Sequence, residues 1–237
     1  MTTSDLSVTT ALVLAGGKGE RLKPLTDDRP KPMVLLNGKP ILEHHLAWLA
    51  ANGISRAVLL TGYKAGVIAD YFATPRVDGL TVECVEEKQP LGRGGAFRNG
   101  YEHSAIGDEL VVATNGDVLT DQPLGPMLKL HRTSGALATV LLAPLMSQVG
   151  IVEVDDLGAV RDFTEKPRLP YWINAGVYIL ATSVLAQFPV QGDHETTTFP
   201  KLAREGLMAG FRSDAFWKSV ETAKDLSEVG EHLAGRS

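Results

Sequence analysis

Residues 14–32 read LAGGKGERLKPLTDDRPKP. An apolar run, Ala11-Leu12-Val13-Leu14, empties into Gly16, Gly17 and Gly19; the cations Arg21, Lys23 and Lys31 follow, the last bracketed by Pro30 and Pro32. A strand that ends in a glycine-rich turn presents backbone N–H groups that can cradle phosphate oxygens. Glycine is needed where a side chain would hold phosphates off the backbone or forbid a positive φ. Fixed cations beyond the loop neutralise charge on a departing pyrophosphate. The stretch thus predicts a nucleoside-triphosphate site, with Leu14, Ala15, Gly16, Gly17 and Gly19 against the nucleotide and Arg21 and Lys31 on its phosphates.

Neighbouring phosphate motifs fit poorly. No G-x-x-x-x-G-K-[ST] loop is present, and Gly17-Lys18-Gly19-Glu20-Arg21-Leu22 has Leu22 where a dinucleotide fingerprint needs its third glycine. The 237 residues carry no repeat, linker or low-complexity segment, which predicts one domain over 9–237 behind a flexible polar start at 1–8. At 44% apolar residues the chain can bury a sizeable core, and its net charge of −5 argues against general nucleic-acid binding. Cys84, the single cysteine, excludes an internal disulfide and fits a reducing compartment; the alternation Leu80-Val82-Cys84 predicts a small core residue there. No apolar run approaches the roughly 18 residues of a membrane span, and the start lacks a signal peptide's basic and apolar regions. A cytoplasmic protein without membrane contact is expected.

Short β-rich runs alternate with helical patterns. Strands are predicted at 11–14, 57–61, 80–85, 109–114 and 138–143, and helices at 41–52, 65–72, 94–102 and 124–133. The second half predicts a hairpin of 150–154 and 159–164 turned at Asp155-Asp156-Leu157-Gly158, a strand at 174–180 and a short helix at 182–187. This alternation predicts an α/β fold, a Rossmann-like α/β/α sandwich on a mostly parallel mixed sheet, with ligands at the carboxyl ends of the strands. Asn115-Gly116-Asp117 closes one apolar strand, so a carboxylate points into that crevice, where Mg²⁺ needs an oxygen ligand beside phosphates. No His, Cys and Asp spacing points to zinc, and no G-x-S-x-G elbow points to a hydrolase.

The string G-G-x-G-x-R-L-x-P-L-T followed by P-K-P resembles the signature of the sugar-phosphate nucleotidylyltransferases. Further motifs in family order extend the resemblance over roughly 210 residues. It implies the nucleotide-diphospho-sugar transferase type of sandwich, with Asn115 at the nucleotide and Asp117 as a Mg²⁺ ligand. Longer members append a β-helix or regulatory domain, and none is expected within these 237 residues. The family's second metal ligand comes from W-x-D-x-G-T; here Phe216-Trp217-Lys218-Ser219-Val220-Glu221-Thr222 has Ser219 in the acid's place. Glucose-1-phosphate cytidylyltransferases carry F-W-x-x-x-D-T, which Glu221 matches, so Glu221 is taken as the ligand with Asp225 as the fallback.

Residues 87–97, EKQPLGRGGAF, resemble the family's nucleobase segment, which implies base contacts at Glu87, Pro90 and Gly92, with Glu86 beside them. Guanine presents N1–H and its 2-amino group as adjacent donors, which one carboxylate accepts together. Mannose- and heptose-1-phosphate guanylyltransferases share this segment's look, which favours GTP. Phe163-Thr164-Glu165-Lys166-Pro167 matches the E-K-P element, implying that Glu165 binds sugar hydroxyls and Lys166 the sugar phosphate. Asn174, in I-N-A-G-x-Y, and Gly150, in a V-G-I-V variant of Y-G-V-V, are implied sugar contacts.

The expected partners are therefore an NTP and a hexose or heptose 1-phosphate, the expected cofactor Mg²⁺, and the expected products an NDP-sugar and pyrophosphate. The oligomeric state is left open, a homo-oligomer included. The same reaction with CTP, dTTP or UTP stays open through the F-W-x-x-x-E-T string. So does a non-catalytic nucleotide-sugar-binding regulatory module, through Ser219.

Overall fold

The computed structural model describes residues 8–235. The first half runs β1 (Thr10–Leu14), β2 (Leu35–Leu36), β3 (Lys39–Pro40), α1 (Ile41–Ala51), β4 (Arg56–Thr61), α2 (Ala65–Phe72), β5 (Thr81–Glu86) and α3 (Gly92–His103). There follow β6 (Leu110–Asn115), β7 (Val118–Thr120), α4 (Leu124–Ser134), β8 (Ala138–Met146), β9 (Ile151–Val154), β10 (Val160–Thr164) and β11 (Arg168–Ala181). The chain closes with α5 (Thr182–Leu185), α6 (Thr198–Arg204), β12 (Met208–Arg212), β13 (Trp217–Ser219) and α7 (Ala223–Ala234).

Seven strands form the central sheet in the order β12-β8-β11-β6-β1-β4-β5. β1 pairs in parallel with both β4 and β6, whereas β11 runs antiparallel between β6 and β8. Strand alternation sends Ala11, Val13, Ala57 and Leu59 to one face and Leu12, Val58 and Leu60 to the other. The first face is covered by α1, α2 and α4 through Leu42, Leu46, Leu49, Ile68, Leu124 and Met127. The second is covered by α3, α5 and α6 through Phe97, Val184, Leu185, Phe199 and Leu202. Each fully buried Leu or Phe contributes roughly 1.5–3 kcal/mol by leaving water. The α/β/α sandwich and its mostly parallel mixed sheet are as the alternation predicts.

Two expectations are corrected. Cys84 is exposed rather than a core residue, because β5 is the edge strand and pairs on one side only; Leu80, at its approach, is the buried member of that run. Residues 1–7 of the predicted flexible start lie outside the described residues, but Val8, counted with them, is 1% exposed and packs in the first core cluster.

The sheet's order reverses at β1, whose neighbours β4 and β6 carry the chain off in opposite directions. Leu14 stands opposite both Leu60 and Asn115 in register, so the loops leaving β1, β4 and β6 emerge together at the carboxyl edge. That switch point is where an open α/β sheet leaves its crevice.

Candidate active site

The glycine loop is held by backbone bonds. Ala15 N–H donates to Leu60 O at 2.8 Å and Lys31 N–H to Gly17 O at 3.0 Å. Gly19 has φ of +66°, and a Cβ there would lie 2.8 Å from Lys31 Cβ and 2.9 Å from Thr26 Cγ2. No other residue fits that conformation and that approach together. Pro30 caps a single 3₁₀ turn, Lys31–Met33, which contains Pro32 and fixes the lysine backbone beneath the loop.

Opposite the loop, Gly116 N–H bonds Leu14 O at 2.9 Å and swings Asp117 over the end of β1. β13 pairs with β7, with Ser219 opposite Val118, and Val220 N–H donates to Asp117 O at 3.0 Å. This pairing carries Glu221 to Asp117. Lys31 Nζ then lies 2.5 Å from Asp117 Oδ2 and 2.9 Å from Glu221 Oε2. Arg21 pairs with the same Glu221 oxygen. Ser219 Oγ donates to the other, Oε1, at 3.2 Å. Asp225 is engaged elsewhere: it closes the capping box of α7 with Thr222, accepts Glu221 N–H at 3.0 Å and pairs with Lys218 at 2.9 Å. The fallback ligand is thus a helix cap, fixed by the geometry of the α7 start.

Asp117 Oδ1 is buried and, among the described residues, has no hydrogen-bond partner. An acceptor-only carboxylate oxygen left in that state fits a hard divalent cation, and Glu221, whose oxygens are engaged by Lys31, Arg21 and Ser219, stands beside it as a second carboxylate.

These groups face a cavity of about 490 Å³. Leu14, Gly16, Gly17, Lys31, Glu87, Pro90, Gly92, Asn115, Asp117 and Glu221, all predicted site residues, line it. Glu87 packs its carboxylate against the ends of β1 and β4: a Cβ on Gly62 would lie 2.8 Å from Glu87 Oε1, and one on Gly16 3.5 Å. Leu91 N–H donates to its Oε2 at 3.2 Å. Burial pushes the Glu87 carboxyl above its ordinary value, against the pull of that N–H.

The remaining predicted residues stand outside the lining. Ala15 and Gly19 support the loop from behind, and Arg21, 69% exposed, reaches in from the rim. Gly150 and Glu165 sit together at the foot of the β9–β10 hairpin, where a Cβ on Gly150 would meet Glu165 Oε2 at 2.9 Å. Lys166 follows with φ of 47° and pairs with Glu165 at 3.4 Å. Asn174 Nδ2 donates to Tyr178 Oη at 2.9 Å on β11.

Sequence patterns missed Arg93 and Asp193, which also line the cavity, and Glu195 beside them. Arg93 falls within the nucleobase segment but matches no motif position. Asp193 and Glu195 lie in a polar stretch without periodicity; the charges around His194, ahead of Phe199-Pro200, are the only signal there.

A glycine-rich turn at a sheet switch point, cations on its far side and paired carboxylates opposite define a nucleotidyltransferase of the α/β/α kind. The chain belongs to the nucleotidyl transferase family, whose model matches residues 10–235. It is 32% identical to a probable glucose-1-phosphate cytidylyltransferase of Bacillus subtilis, over 93% of this chain and 94% of that protein. It is 36% identical to the mannose-1-phosphate guanylyltransferase of Mycobacterium tuberculosis over 91% of this chain, and spans 62% of that longer protein. Among solved structures, HddC from Yersinia pseudotuberculosis superposes with a TM-score of 0.76 at 26% identity, covering 95% of this chain and 100% of that one. HddC has also been solved complexed with GMP-PN. The family resemblance drawn from the motifs holds. No helix among the described residues is long and apolar enough to cross a membrane.

Proposed function

We propose that the protein transfers the guanylyl group of GTP to a hexose or heptose 1-phosphate in the cytoplasm, yielding a GDP-sugar and pyrophosphate. A phosphate oxygen of the sugar 1-phosphate attacks the α-phosphorus of GTP, and the bond from that phosphorus to the bridging oxygen of the β-phosphate breaks. The attacking oxygen is already ionised, so no general base is required, and catalysis reduces to alignment and charge neutralisation. Lys31 and Arg21 hold the triphosphate, and Lys166 steers the incoming phosphate dianion. Asp117 and Glu221 would hold Mg²⁺, which supplies a Lewis acid that draws charge from the phosphates.

Glu87 carries the choice of base: its carboxylate shares one cavity with the glycine loop and the Lys31 cluster. A carboxylate at that position is matched to guanine's adjacent donors. The mannose-1-phosphate guanylyltransferase relative and the GMP-PN complex of HddC support the same choice. The cytidylyltransferase relative, which this chain covers almost end to end, favours CTP as a second reading. Pyrophosphate release with Mg²⁺ across GTP, ATP, CTP, UTP and dTTP, each against hexose and heptose 1-phosphates, decides between them. A dominant GTP row is expected. A dominant CTP row transfers the proposal to the cytidylyl reaction, and an empty grid with nucleotide still bound favours a binding-only module.

A further inference from the structure

Arg93 stands where the nucleotide cavity meets the strand bearing Asn174. Its backbone N–H donates to Asp193 Oδ1 at 2.9 Å, and its guanidinium pairs with Asp193 Oδ2 at 3.2 Å and Glu195 Oε1 at 3.0 Å. Asn174 Nδ2 reaches the same Glu195 oxygen at 3.4 Å. The other, Glu195 Oε2, is buried and has no hydrogen-bond partner among the described residues.

The cluster is rigidly mounted. A Cβ on Gly94 would lie 2.7 Å from His194 N, and one on Gly95 2.6 Å from Val190 O, so α3 and the 190–194 loop touch backbone to backbone. His194, between the two acids, is caged by Phe97, Tyr178, Phe188 and Phe199, with ring centroids 4.6–5.4 Å away. Packing of this kind holds a binding group within a narrow range of geometry.

Two carboxylates against one guanidinium leave the cluster net negative, so it repels a phosphate. Hydroxyls, which both donate and accept, match its mixture of carboxylate oxygens, guanidinium and amide. We infer that Arg93, Asp193 and Glu195 read the vicinal hydroxyls of the sugar in the sugar 1-phosphate, Glu195 accepting from a ring hydroxyl while Arg93 holds both acids in place. This rests on the proposal that the second substrate is a sugar 1-phosphate. Ribose carries the same diol chemistry, but the cluster's link to Asn174 favours the sugar.

Steady-state kinetics of Glu195→Gln, with NTP and sugar 1-phosphate varied separately, test the inference. Loss of a charged acceptor should raise the KM for sugar 1-phosphate about 10- to 100-fold. The KM for NTP should stay within about twofold of wild type, since no NTP contact is removed. The penalty should vanish for the deoxysugar 1-phosphate that lacks the contacted hydroxyl. Three results overturn the inference: an unchanged sugar KM beside normal wild-type turnover, an equal loss with every deoxy analogue, or a rise in NTP KM that a deoxyribose nucleotide erases. Absence of wild-type turnover with every sugar 1-phosphate overturns the substrate proposal as well. Should Glu195→Gln not fold, Asp193→Asn carries the same readout.

Discussion

Lys31 Nζ bridges two carboxylates from distant parts of the chain, 2.5 Å from Asp117 Oδ2 and 2.9 Å from Glu221 Oε2. The lysine side chain is only 9% exposed, and its ammonium is enclosed between both acids. One ammonium thus holds together the glycine loop, the turn after β6 and the end of β13. In the proposed reaction the same three segments surround the phosphates.

Asp117→Asn keeps the size of the side chain and removes its charge. We expect kcat to fall about 10²- to 10³-fold, the scale of losing one electrostatic stabiliser of a transition state. Arg21→Ala should lower kcat by a similar order while leaving the melting temperature unchanged, because the side chain is 69% exposed. Pyrophosphate release and a thermal melt on the same samples check both. Near-normal turnover in either variant removes that residue from the mechanism.

Glu221 and Asp225 should separate cleanly. Asp225 caps α7 through Thr222 and holds the Glu221 backbone, so Asp225→Ala should cost about 1–2 kcal/mol in urea unfolding. Glu221→Gln should leave that stability nearly intact and depress turnover about a hundredfold. Comparable stability losses in the two variants would sink the distinction.

Selectivity for guanine should depend on an ionised Glu87. Its carboxyl is raised by burial, so it protonates at a higher pH than a free glutamate. The KM for GTP should therefore be flat above that raised value and climb as the pH falls through it. Glu87→Gln should lose the acid limb and cut kcat/KM for GTP about 10- to 100-fold, the cost of a lost charged hydrogen bond. Gly62→Ala, which places a methyl 2.8 Å from Glu87 Oε1, should erode the same preference. A GTP preference untouched by both substitutions would rule Glu87 out as the base reader.

His45 and His194 are held neutral by burial, each lowered from 6.5 to about 4. A base depressed in the folded state stabilises the fold above its unfolded pKa and loses that contribution as the pH falls. At about 1.4 kcal/mol per unit, each contributes roughly 3 kcal/mol that disappears between pH 6.5 and about 4. Neither ring nitrogen of His194 has a hydrogen-bond partner among the described residues. His194→Phe should therefore hold or raise stability at pH 7 and flatten the acid limb of ΔG against pH, measured by urea unfolding. An acid limb as steep as wild type would exclude His194 as a source of it.

The predicted helix at 65–72 coincides with α2, and the predicted strands at 11–14 and 57–61 fall within one residue of β1 and β4. Such segments declare themselves because burial of one stripe or face imposes a period on the sequence. The predicted strand at 174–180 is only the end of β11, which starts at Arg168 and changes register on the way. Past Gln187 the pattern predicts nothing, yet α6, β12, β13 and α7 are there. β13 is three residues long, too short to show a period, and it exists because β7 pairs with it.

Residues 14–32 by themselves determined the glycine turn, its cations and the family, because those demands are local: a positive φ at Gly19, short approach distances and charge beside phosphate. The motif already placed Glu221 ahead of Asp225, but only the tertiary structure showed why: the β7–β13 ladder turns Glu221 into the cavity, and the α7 cap consumes Asp225. Only the tertiary structure, likewise, joined Arg93 to Asp193 and Glu195, about a hundred residues further on, because long-range pairing leaves no period in a chain.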